Sequence, residues 1–167
     1  MIAKLDRWYD LATTRIFDRL RSPLLLALRL IFGWGLFQTG KGKLEHIDRF
    51  TDFLTHLHIP MPAANAYFVA SLECVGGLLL LLGLASRLIC IPLVINFIVA
   101  YLTADLEAVK GFFKDQDAFT NAAPFLYLLV SLIVLAFGPG LFSLDALIAR
   151  MRGRSPRLRV NPSPISR

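Results

Sequence analysis

The stretch AANAYFVASLECVGGLLLLLGLASRLICIPLVINFIVAYLTA, residues 63–104, decides the fold, and Glu73 and Arg87 are its only charges. A single helix of that length would rise ~63 Å, about twice the ~30 Å hydrocarbon core of a bilayer. The run therefore doubles back, and Gly83-Leu84-Ala85-Ser86-Arg87 is where it is interrupted. Two membrane-spanning helices are predicted, at about 64–84 and 88–104, joined by a very short loop.

Composition agrees. Of 167 residues, 56% are hydrophobic and 18% are charged, against about 25% charged in a soluble domain. Segments that are apolar all round need lipid or the centre of a large core, and a chain of this size cannot hide four of them in a core. An integral membrane domain follows. The net charge of +6 is not a nucleic-acid signal, because the basic residues gather at the two chain ends and not on an aromatic-interleaved surface. The expected partner of that charge is the anionic headgroup layer of a bilayer. Residues 1–21 are too charged for the apolar core of a signal peptide, so the first span is expected to be retained. Cys74 and Cys90 fall ~15 Å and ~3 Å from the central turn. That separation exceeds the ~7 Å a disulfide tolerates, and both read as small packing residues.

Outward from the hairpin, Pro23 suits the first turn of a helix, and the first span is predicted at about 23–40. Before it, residues 1–21 read as an amphipathic helix with Leu5, Trp8, Tyr9, Ala12, Ile16 and Leu20 on one face, suited to the membrane surface. After it, Lys41-Gly42-Lys43 ends the span, and Leu44, Ile47, Phe50, Phe53, Leu54 and Leu57 form a second amphipathic stripe in the first outer loop. A second polar loop, 105–120, precedes a fourth span at about 121–137. Ser143 is placed to cap a short helix reaching Met151, and the basic stretch 148–167 is expected to be largely disordered. The fold class is all-α: a four-helix integral membrane bundle over 22–147, with amphipathic interfacial helices at the amino terminus and in the first outer loop. Twelve Lys/Arg residues lie in the two chain ends and the central turn, and five lie in the other two loops. The positive-inside rule then puts both termini and Arg87 on the cytoplasmic side of a bacterial inner membrane.

Charges inside a bilayer are costly and are usually paired or functional. Arg29, Glu73 and Asn96 are predicted at ~9, ~16 and ~12 Å along their spans, which suggests one buried polar cluster. Val69, Ala70, Gly76 and Gly77 flank Glu73 at helical offsets, a small-residue face that a neighbouring helix can approach. The cluster reads either as an ion pair fixing register or as a site for a ligand or proton. Trp34, Gln38, Tyr101 and Asp105, toward the outer ends of two spans, form a candidate outer pocket, against simple interface anchoring. His46, His56 and His58 lack completing ligands, so no metal site is expected. No cofactor motif is present.

Several motifs occur in order: Arg29 with Phe32-Gly33, then Gly40-Lys41-Gly42-Lys43-Leu44. Next come His58-Ile59-Pro60, Glu73-Cys74-Val75-Gly76-Gly77, and Leu80-Leu81-Leu82-Gly83-Leu84 with Ser86-Arg87. Gly138-Pro139-Gly140 with Ser143-Leu144-Asp145 completes the set. In this the chain resembles the DoxX family of small four-span bacterial membrane proteins, whose members typically carry Leu-Gly-Ile-Pro where His58 here replaces the glycine. Some relatives belong to redox systems, including a membrane oxidoreductase complex and a thiosulfate–quinone oxidoreductase. The resemblance implies an accessory role in an oxidoreductase, with a membrane quinone or a soluble redox partner supplying what the chain lacks. It supplies no catalytic residues. A non-enzymatic scaffold for a soluble partner, and small-solute or proton transfer, remain as alternatives, and the oligomeric state is left open.

Overall fold

The computed structural model describes residues 2–153, with side-chain environments from residue 20 onward. All regular elements among these residues are α-helices. The long α1 (Ile2–Glu45) is followed by α2 (Ile47–His56), and α3 (Pro62–Leu82) and α4 (Ser86–Thr103) form the central hairpin. Two short helices, α5 (Leu106–Lys110) and α6 (Gln116–Asn121), lead into α7 (Pro124–Phe137), and α8 (Leu144–Met151) closes the described chain. Three segments are long and apolar enough to cross a membrane: residues 20–45 of α1, all of α3 and all of α4. With α7 they make a four-helix bundle.

Three boundaries differ from expectation. Pro23 does not begin a helix but lies inside α1, which runs unbroken from Ile2 and ends at Glu45, not Gly40. A proline in a membrane helix is tolerated because neighbouring groups re-satisfy the freed carbonyl, so it does not force a boundary. The apolar stripe expected over residues 1–21 concerns side chains outside the described set. The fourth helix has 14 residues and rises only ~21 Å, because Ala122 is extended and separates α6 from α7. The tail expected from 148 begins within α8, and residues 154–167 lie outside the described residues.

The bundle is apolar outside as well as inside. Leu24, Ile31, Phe68, Leu88, Ile95, Leu132 and Phe137 are all exposed, a continuous belt no water-soluble monomer carries. Inside, Leu36, Leu80, Cys90, Leu93, Phe97, Val130 and Val134 form the core. Both cysteines are free, with Cys90 buried.

Helices α1 and α3 run antiparallel with their backbones nearly touching. A Cβ on Gly40 would collide with the backbone of Cys74, and one on Gly77 with the backbone of Phe37. Gly33 faces Leu81 in the same way. In lipid no hydrophobic force drives helices together, so close approach through small residues supplies the packing energy. Facing outward in the other direction, Gly76 receives the side chain of Leu93 from α4.

At the turn end of the bundle the hairpin is locked by the last helix. Gly83, at φ +69°, ends α3, with Leu84 N–H donating to Leu79 O and Gly83 N–H to Leu80 O. Asp145 accepts from Ala85 N–H at 2.8 Å and Ser86 N–H at 3.1 Å, satisfying the start of α4. Its own N–H donates to Gly83 O at 3.0 Å. Ser143 caps α8 by accepting from Ala146 N–H.

At the loop end, His58 sits at φ +57°, the left-handed region that a β-carbon disfavours. Leu57 and Ile59 beside it complete the exit from α2.

Two predictions follow from this geometry. Gly40→Ala lowers stability in detergent by about 1–3 kcal/mol, whereas Gly42→Ala, whose Cβ would meet nothing within 4 Å, is neutral; thermal denaturation of the purified variants reads both. His58→Gly raises stability by about 1 kcal/mol through relief of backbone strain, and His58→Ala, which keeps the β-carbon, does not.

Candidate functional site

The register of α1 against α3 decides which polar groups meet. With Gly33 opposite Leu81 and Gly40 opposite Cys74, Arg29 falls opposite Gly83, about ten residues or ~15 Å beyond Glu73. Arg29 and Glu73 therefore do not pair, contrary to expectation. Arg29 is 1% exposed and turns to the loop after α7, donating to Phe142 O at 2.7 Å and to Pro139 O.

Glu73 pairs instead with Lys43. Lys43 Nζ lies 2.7 Å from both carboxylate oxygens, and Asn96 Nδ2 donates to Oε1 at 3.3 Å. Sequence reading placed Glu73 and Asn96 together but assigned Lys43 to a loop. Helix geometry explains the outcome. α1 continues past Gly40, so Lys43 lies one turn on, on the face that carries Leu36 and Gly40. Side chains on a helix lean toward its amino terminus, which aims Lys43 back into the bundle. Because α3 is antiparallel, Glu73 leans toward the same level from the other side. The i, i+4, i+7 series Leu36, Gly40, Lys43 was the available signal.

The lysine side chain is 27% exposed and that of Glu73 5%. The ammonium also lies 4.8 Å from the Phe50 ring of α2, a cation–π contact. So the ion pair closes one end of a cavity of about 560 Å³ whose walls are mostly apolar. Thr39, Phe53, Phe97, Ala100, Asp105 and Tyr127 are among the residues that line it. Tyr127 is held by Phe97, with which it stacks at 5.7 Å, and by the edge of Phe32 at 6.0 Å.

The four-residue outer pocket does not form. Trp34 and Gln38, one turn apart on α1, are exposed on its outer face, because the opposite face carries Leu36 and Gly40 into the bundle. Tyr101 is buried, stacks on Phe119 at 4.8 Å and donates to Phe119 O at 2.8 Å. It thereby ties α6 to α4. Of the four, only Asp105 borders the cavity. Among the described residues, no group of three or more His, Cys, Asp or Glu could hold a metal ion.

Chemically, the cavity offers an apolar volume with a polar end. That end presents donors, Lys43 and Asn96, beside an acceptor, Glu73. A neutral, mostly apolar molecule with one or two carbonyl or hydroxyl groups fits this pattern.

Residues 24–106 match the DoxX family model. The chain is 30% identical over 123 residues to a Bacillus subtilis (strain 168) protein provisionally named oxidoreductase CatD, covering 74% of this chain and 85% of that one. It is also 30% identical over 135 residues to the uncharacterized membrane protein Rv3486 of Mycobacterium tuberculosis (strain ATCC 25618 / H37Rv), covering 77% and 83%. No solved structure matches significantly.

A double-mutant cycle on Lys43→Met and Glu73→Gln, read as stability in detergent, is expected to give a coupling of about 1–3 kcal/mol. The same cycle on Arg29 and Glu73 is expected to give none. A coupling confined to Arg29 would contradict the register described above.

Proposed function

The chain belongs to the DoxX family of membrane proteins, and from that premise we propose that it is the membrane component of a redox system whose cavity receives a lipid-soluble quinone. The single observation that carries this reading is the apolar cavity of about 560 Å³ ending on Lys43, Glu73 and Asn96. An apolar ring and tail suit its walls. Lys43 Nζ and Asn96 Nδ2 are the donors a quinone carbonyl accepts from, and the Glu73 carboxylate is the acceptor a quinol hydroxyl needs. The name of the B. subtilis relative, an oxidoreductase, supports the same class.

The residues' own part is binding and proton handling. Lys43 holds the Glu73 carboxylate through both oxygens, at the place where a quinol hydroxyl would donate. The electrons come from or go to a soluble partner, in keeping with an accessory subunit. In this reading the turn end, with Arg87 and the two basic chain ends, faces the cytoplasm, and the cavity lies toward the opposite side of the inner membrane.

The test is extraction. Protein purified in mild detergent is expected to retain quinone, measurable in an organic extract by its absorbance. Glu73→Gln, which removes a charged acceptor, is expected to lower retention about tenfold or more. If the native protein holds no quinone and instead co-purifies with a soluble enzyme, the scaffold reading replaces this one.

A further inference from the structure

At the turn end, a second cavity of about 590 Å³ lies between the start of the spanning part of α1, the entry of α4 and the exit of α7. Arg21 and Arg87 line it. Arg21 Nη2 donates to Phe137 O at 2.7 Å, with its guanidinium 5.0 Å from the Phe137 ring. Arg87 Nη2 donates to Ala136 O at 3.2 Å. Each guanidinium is thus held by one corner on the end of α7, and its remaining N–H groups make no hydrogen bond among the described residues. Arg21 Nε is buried and makes no hydrogen bond to the described protein.

Among the described residues, Asp145 is the one carboxylate on the cavity wall, and both its oxygens are taken by Ala85 N–H and Ser86 N–H. It caps a helix, and among the described residues no salt bridge joins it to either arginine. Two anchored, forked cations facing one cavity suit a phosphate. The surroundings choose the source. Leu20, Leu24, Leu88 and Phe137 are exposed beside the arginines, at the level where the apolar belt ends. An anion bound here has acyl-chain contacts available that a free phosphate cannot use.

We propose that the cavity between Arg21 and Arg87 is a binding site for the phosphate of an anionic phospholipid headgroup. The lipid would bridge α1 to α4 and α7, neither of which packs closely on α1. The site is separate from the Lys43–Glu73 cavity and does not depend on the quinone reading.

The test is native mass spectrometry of the full chain in detergent, titrated with phosphatidylglycerol, phosphatidylcholine or inorganic phosphate. Phosphatidylglycerol is expected to stay bound, with Arg21→Gln/Arg87→Gln weakening it about 30-fold, the effect of two near-surface basic residues. Lys41→Gln/Lys110→Gln, which removes the same charge at the opposite end, leaves it unchanged. Should the arginine variant fail to accumulate, Ala149→Glu decides. It adds a carboxylate to the cavity wall without touching either carbonyl bond, and is expected to weaken phosphatidylglycerol by a similar factor. Equal binding of the two lipids, unchanged affinity in both arginine-site variants, or displacement of the lipid by millimolar inorganic phosphate would overturn the proposal.

Discussion

Contact between the backbones of α1 and α3 at Gly33, Gly40 and Gly77 is the constraint on which the other interactions rest. Because the helices touch main chain to main chain, they cannot slide by a turn without a collision. Every polar partnership then follows from arithmetic along two antiparallel rods. Arg29 meets the turn, and Lys43 meets Glu73. Neither pairing is chosen by charge alone, since Arg29 would have served Glu73 equally well had it been in reach.

The result is a bundle with two different polar ends. The turn end is a rigid joint, in which three arginines take the carbonyls of residues 136, 137, 139 and 142. Positive side chains at the carboxyl end of α7 also complement its dipole. The other end is looser in construction. There α6 and the turn before it pack on the bundle through aromatic contacts among Phe112, Phe119, Phe125 and Tyr101, while α2 packs on α3 and lines the cavity beside Glu73. An ion pair inside a membrane is weak support for stability taken alone. Here it lines an apolar cavity, and the quinone proposed above is what it would meet there.

The central hairpin, its turn at Gly83 and the cap at Ser143 were legible in the sequence, because apolar length, glycine and proline punctuation and capping residues are local signals. Glu73 and Asn96 were legible as neighbours, since both lie at similar depth in the middle of their spans. The role of Lys43 was hidden by its position after Gly40-Lys41-Gly42. Consecutive lysines and glycines look like the end of a span, whereas the helix goes on to Glu45. Depth counted from a misplaced end also brought Arg29 to Glu73 on paper. Trp34 and Gln38 were misread for a related reason: depth along a helix was known, but which way its face turned was not, and that depends on the glycine contacts. His58, noted only as a substitution for glycine, turned out to hold a left-handed backbone.

The bracing of the central turn by Asp145 has a consequence for biogenesis. The two partners are separated by 60 positions in the chain, and ribosomes add about 5–20 residues per second. The first amides of the second arm are therefore made roughly 3–12 seconds before the carboxylate that accepts from them. During that interval only water at the membrane surface can serve them. Maturation of the turn is thus completed late, by α8, a helix made long after the hairpin it braces.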